Sequence, residues 1–178
     1  MPQDTGIILK TYPLGETGLI VVWSTADHGI IRTAARTALK PGGDFFGRLD
    51  LFFEAELLWE TSKTGDLDHL KSVSLLNPRL ALRHSFPKLR LAGYMTKLLL
   101  ATVEPRTPIP EIHLMLHRAL AYLETRTATR HIMQHFEKRL AEEHGMYRQG
   151  MPAIAILRSH YPHVPADRDA LYDTLPPA

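Results

Sequence analysis

The sequence predicts an α+β chain, a small antiparallel barrel followed by an all-α domain, and three observations carry that expectation. Up to residue 77 apolar side chains alternate with a period of two, and beyond it they recur at helical spacing. The change falls at Asn77-Pro78, so residues 1–77 are expected to form the barrel and residues 78–178 the helical domain. With 178 residues, of which 44% are hydrophobic and 22% charged, the chain has enough apolar side chains for real cores.

The clearest strand is DLFFEAELLWE. Leu51, Phe53, Ala55, Leu57 and Trp59 make one apolar face, and Asp50, Glu54, Glu56 and Glu60 lie mostly on the other. GIILKTY, LIVVWST and LKSVSLL are further β-branched or aromatic runs, bounded by turn signals at PLGETG, ADHG and SKTGD. The stretch RTAARTALKPGG places Arg32, Arg36 and Lys40 at intervals of four, which keeps them on one face of a helix or of a strand. Because it follows the tight ADHG turn and carries Ile30, Ile31 and two threonines, a strand is expected. Arg32, Arg36 and Lys40 would then form an outward row, with about 13 Å between the first two. Five short strands with a long third connection, KPGGDFFGR, describe a small barrel.

After Pro78, Leu91, Tyr94, Met95, Leu98, Leu99 and Thr102 mark a first helix, closed by EPRTPIP. Pro110 opens a second, burying Ile112, Met115, Leu116, Ala119, Leu120 and Leu123. A third, capped by Thr129, buries Ile132, Met133, Phe136 and Leu140 and stops at Gly145. The remaining tail reads as two weaker helical segments separated by prolines.

Absence of cysteine excludes disulfides, a thiolate nucleophile and thiolate zinc sites. No long apolar run follows a basic start, and LIVVW is too short to span a bilayer, so a cytoplasmic protein without membrane contact is expected. Residues 1–78 hold seven Lys or Arg against ten Asp or Glu, and residues 79–178 fourteen against nine. Between Asp68 and Glu104 there is no acidic residue, while Lys71, Arg79, Arg83, Lys88, Arg90 and Lys97 fall there. Nucleic acid or an acidic peptide is the natural partner for such a stretch. Walker A, dinucleotide-binding, HExxH and nucleophile-elbow motifs are all missing, so neither an enzyme nor a cofactor is expected. His113 with His117, and His131 with His135, are spaced for one helix face, but no third ligand is assignable; ordinary helix-surface histidines are the simpler reading.

The stretch GIILKTYPLGETGLIVVWSTADHGIIRTAARTALKP resembles the start of the RecO family of recombination mediators. Gly15-Glu16-Thr17, Ala35-Arg36 and Lys40-Pro41 are the matching positions. FGRLDLFF, with Gly47, Leu49 and Phe52, and HFEKRLAEEHGMY continue the resemblance in register to about residue 147. It implies an N-terminal OB-fold barrel followed by a helical domain. It also implies a non-enzymatic protein that binds single- and double-stranded DNA, anneals complementary strands, and works with RecR and single-stranded-DNA-binding protein to help RecA load. Many relatives carry a four-cysteine zinc module after the Gly-Tyr helix, which a chain without cysteine lacks. Where some relatives hold the acidic tail of single-stranded-DNA-binding protein with a basic pair, this chain has Gln134 and His135.

The expected DNA contacts are Arg32, Arg36, Lys40 and Arg48, continuing onto Arg79, Arg83, Arg90 and Lys97, with Phe45 or Phe46 available to stack on bases. Arg130, Lys138 and Arg139 are the expected seat for an acidic partner tail. A second function, of a different class, is an adaptor that binds an acidic protein tail without binding DNA.

Overall fold

The computed structural model describes residues 1–178, and the chain groups into two compact units. One holds residues 1–79 with 104–113, and the other residues 80–103 with 114–178.

In the first unit, β1 (Gln3–Leu14), β2 (Gly18–Thr25), β3 (Gly29–Ala35), β4 (Glu54–Glu60) and β5 (Leu67–Asn77) close into a barrel of order β1-β2-β3-β5-β4. Neighbours are antiparallel except β3 and β5, which run parallel in the register Arg32↔Leu67 to Ala34↔His69. This one parallel pair qualifies the antiparallel expectation. It arises because the connection from β3 to β4 crosses the barrel, so β5 returns alongside β3 in the same direction. Alternation fills the interior with Ile8, Val21, Trp23, Ile31, Leu57 and Trp59, all at most 2% exposed. The indole of Trp23 donates to Thr33 Oγ1 at 2.9 Å, so its one polar atom is satisfied.

Two sequence expectations need correcting here. β4 starts at Glu54 and not at Asp50, because Phe52 adopts φ 68° and breaks the extended backbone. Glu54, expected on the wet face, is consequently buried. β3 ends at Ala35: Arg36 begins a turn, Thr37 takes φ 59°, and the Leu39 amide bonds to Thr17 O at 2.8 Å. The strand row therefore holds Arg32 alone, and Arg36 and Lys40 belong to the connection beyond it.

Residues 104–113 complete this unit. Pro105 bridges Ile30, the Arg106 amide bonds to Ile30 O at 3.0 Å, and the Ile109 amide to Ala26 O at 3.0 Å. Gly29 sits at φ 69°, and any Cβ there would collide with the Thr107 backbone, so glycine is required on two grounds.

The helices are α1 (Phe86–Thr102), α2 (Pro110–Thr125), α3 (Arg130–Glu143), α4 (Ala153–His160) and α5 (Arg168–Thr174). The face read from the sequence of α1 is buried throughout, from Leu91 to Thr102. Thr129 caps α3 by accepting from the Ile132 amide at 3.3 Å, and Gly145 at φ 68° ends it. In the second unit Glu137 of α3, 2% exposed, accepts from Tyr94 Oη at 2.7 Å and from Arg168 Nε and Nη2 at 2.8 and 2.9 Å. Burial pushes the Tyr94 hydroxyl well above its ordinary pKa, and Glu137 adds to the rise. For Arg168, burial opposes its charge, but the bonds and charge of Glu137 outweigh it and hold the guanidinium protonated. This cluster anchors α5, the second of the two weak helical segments read in the tail. No helix is long and apolar enough to cross a membrane.

Candidate nucleic-acid interface

The eight cations expected along one DNA-contacting edge divide into different environments. Arg32 is the sole exposed residue of β3, and Arg36 and Lys40 are exposed on the turn and bend that follow. None of the three side chains makes a hydrogen bond or ion pair; Lys40 and Arg36 bond only through their backbone groups. Arg48 is exposed on the same connection and reaches Val73 O at 3.5 Å. The connection folds back on the β1–β2 turn through Leu39 and Thr17, so Arg36 and Lys40, on the turn that carries Leu39, border the tip of that hairpin. Phe45 packs against the barrel core, whereas Phe46 is 51% exposed, which assigns the two rings opposite roles.

Arg79 does not belong to the edge. It is 1% exposed, adopts φ 47°, and donates through Nη2 to Glu54 Oε2 at 2.6 Å. A charge taken out of water is retained only with a close counter-charge, and the buried β4 carboxylate supplies it. This contact holds the end of β5 onto the start of β4, and it removes Arg79 from any phosphate surface.

In the second unit the remaining cations are partly engaged by the tail. Arg83 is exposed on a 3₁₀ turn at Leu80–His84. Arg90 donates to Thr174 Oγ1 at 3.3 Å and lies 5.8 Å from the Phe86 ring centre, and Lys97 pairs with Asp167 at 3.2 Å. Both pairings are exposed and worth little in stability, so phosphate could exchange with them.

The expected seat for an acidic partner tail is occupied by the chain itself. Arg130 donates from Nε to Tyr172 O at 3.0 Å and from Nη2 to Asp173 O at 3.3 Å, its guanidinium lies over the Tyr172 ring, and its amide bonds to Pro176 O. Arg139 pairs with Glu142 and Glu143, and Lys138 stands 3.8 Å from Glu142 and over the Tyr147 ring. Gln134 donates to Tyr172 Oη at 3.3 Å.

The paired histidines do not form a metal set. His113 is buried, its Nδ1 sharing a hydrogen bond with Ser24 Oγ at 3.0 Å, and the rings of His131 and His135 stack with centres 6.4 Å apart. No group of three His, Asp or Glu side chains is placed to hold an ion, and without cysteine the residues present do not fit a four-thiolate zinc module.

A contribution that sequence reasoning missed comes from β1. Lys10 pairs with Val22, which pairs with Arg32, and one step along the strands Tyr12 pairs with Ile20, which pairs with Ala34. Directly paired residues share a face, so Lys10 and Arg32 lie in one cross-strand row on the outside of the sheet, with Tyr12 in the next. The signal was the alternation of GIILKTY itself, whose outward positions were not read across to the neighbouring strands.

The closed barrel, its strand order and its crossing third connection define an OB-fold protein. Residues 1–79 match the family model described as Recombination protein O N terminal, and the chain belongs to the RecO family. It is 37% identical over 123 residues to proteins named DNA repair protein RecO from Synechococcus elongatus and from another Synechococcus strain, which is 69% of this chain and 46% of each relative. A protein of the same name from Gloeothece citriformis is 30% identical over 133 residues, covering 75% of this chain and 46% of that relative. The chain thus spans about half the length of the curated relatives it matches.

Proposed function

We propose that this chain binds DNA and anneals complementary strands in recombinational repair, without being an enzyme, and that it helps RecA loading together with RecR and single-stranded-DNA-binding protein. In this reading the OB-fold domain, residues 1–77, supplies the principal DNA surface. The helical domain, residues 78–178, offers further phosphate contacts of its own at Arg83, Arg90 and Lys97. The observation that carries the proposal is the group of exposed cations Arg32 on β3 and Arg36 and Lys40 on the connection after it, whose side chains have no partner, with Arg48 on the same connection, on a barrel of the RecO family. A cation without a carboxylate partner is free to neutralise a phosphate, and each phosphate neutralised releases counterions condensed on the DNA.

Contacts of this kind touch phosphate and not base edges, so binding is sequence-tolerant and weakens steeply with salt. Annealing follows from screening two like-charged strands on one surface. An acidic partner tail on α3 would have to displace the contacts that Arg130 makes with residues 172–176, so the adaptor reading gains no support from that helix.

The test is a titration of single-stranded DNA at several salt concentrations with wild type and Arg32→Glu/Arg36→Glu. Loss of two phosphate contacts should weaken binding and flatten the log–log salt slope by about 0.7 per contact. Both positions are exposed, and such substitutions usually shift stability by less than about 0.5 kcal/mol. A folded double variant with wild-type affinity and slope would overturn the assignment of these residues.

A further inference from the structure

We infer that residues 167–176 are an autoinhibitory strap: seated along α1 and α3, they keep Arg90, Lys97 and Arg130 from phosphate, and their release opens a DNA-contacting face on the helical unit. The inference rests on the DNA-binding reading above and adds to it a means of regulation that lies inside the chain.

The contacts run in register. Lys97 and Arg90 stand two turns, or about 10 Å, apart on α1, and they meet Asp167 and Thr174, which have the same separation in the opposite order. α5 therefore runs antiparallel to α1. From the start of α3, Arg130 reaches the carbonyl oxygens of Tyr172 and Asp173, acceptors of the kind that the last turn of a helix leaves without intrahelical partners. Every acceptor in this set is an oxygen, as a phosphate would present. α1 carries no carboxylate of its own, so the strap supplies these cations with acceptors that the helix lacks.

What seats the strap is separate from what it covers. Leu171 and Leu175 are each 2% exposed, and Arg168 bonds twice to the buried Glu137 of α3. The contacts at Lys97 and Arg90 are exposed and weak one by one. Because all of them ride on one seated segment, a phosphate that displaces one still meets the others in place. Release is nonetheless local: α5 has seven residues, too few for a helix that stands alone, and Asp167 makes no side-chain capping bond. α1 and α3 pack directly on one another, so their own contact survives it. A nucleic-acid strand is the occupant that fits the vacated face, since it offers anionic oxygens in series and two of the three cations already belong to the phosphate surface proposed above.

The test compares salt titrations of oligothymidylate binding by the full chain in two backgrounds, wild type and Leu171→Ser/Leu175→Ser. Hydrogen exchange identifies release as lost protection in residues 168–176 with α1 and α3 still protected. If the double variant loses α1 and α3 as well, Leu175→Ala takes its place. Release should steepen the log–log slope by about 0.7 for each cation freed, about 2 for all three. Arg90→Gln/Lys97→Gln/Arg130→Gln should return the released protein to the wild-type slope, and should change wild type itself by less than one contact. A released protein with the wild-type slope overturns the inference, as does a triple substitution that costs the same in both backgrounds. So does a released protein that gains affinity for an oligoglutamate peptide and none for DNA, which makes the face a seat for protein. A segment that opens in neither variant without α1 and α3 is part of the helical core and no strap. Failure of wild type to bind oligothymidylate at any salt removes the DNA reading itself, whereas each slope outcome leaves that reading standing.

Discussion

Arg79 and Glu54 show what a single charged residue conceals in a sequence. Each was read at a surface position, Glu54 by alternation along its strand and Arg79 by its place in a stretch without acids. Their meeting where the end of β5 runs beside the start of β4 buries both. Neither local pattern could signal this, because the pairing joins positions 25 residues apart and depends on Phe52 and Arg79 both taking positive φ. Since removing either partner leaves the other buried without this counter-charge, Arg79→Ala should destabilise the barrel by about 3–5 kcal/mol. Urea denaturation of the variant measures it. Replacing both residues with apolar ones of similar volume should recover most of that loss, an outcome that a surface ion pair would not give.

For whole elements, the sequence reading depended on how much of the information was local. α3 was legible from cap to stop: Thr129 accepts the Ile132 amide, Met133, Phe136 and Leu140 are buried, and Gly145 closes the helix in the left-handed region. Its cap should be worth about 1 kcal/mol, so Thr129→Ala should lower the thermal midpoint by a few degrees, whereas Thr129→Ser should leave it nearly unchanged. β3 was legible in type but not in length. The spacing of four that suggested one continuous row ends where Leu39 bonds to the β1–β2 turn, a tertiary contact absent from any local pattern. α4 and α5 were faint because they have eight and seven residues, too few to show a period. α5 is held by Arg168 on Glu137, a contact 31 residues apart in sequence.

On the scale of the molecule, the change of period at Asn77-Pro78 marked where strands give way to helices. It gave no hint that EPRTPIP returns to the barrel. Arg106 donates to Asp68 Oδ1 at 3.1 Å and to Asp66 O, and Asp68, fully buried, also accepts the Ser62 amide. The first unit thus draws on two stretches of chain separated by α1. In native-state hydrogen exchange the amides of Arg106 and Ile109 should open together with those of β2 and β3. Exchange in step with α1 would show that the loop is only draped on the barrel. Gly29→Ala should selectively speed exchange at Arg106 and Ile109, because the added Cβ displaces Thr107.

The same threading sets an order of events during synthesis. All five strands have been made once Asn77 is added, yet the backbone groups of Ala26 and Ile30 must wait for residues 105–109. A ribosome adding about 5–20 residues per second reaches those residues a few seconds later, after the whole of α1 has been polymerised. During that interval Asp68 has the Ser62 amide but lacks its arginine, and the edge beside Gly29 is open. The nascent barrel therefore passes through a state with a carboxylate short of its counter-charge and unpaired backbone at one corner, and the last stitch is supplied by chain that lies beyond the next helix.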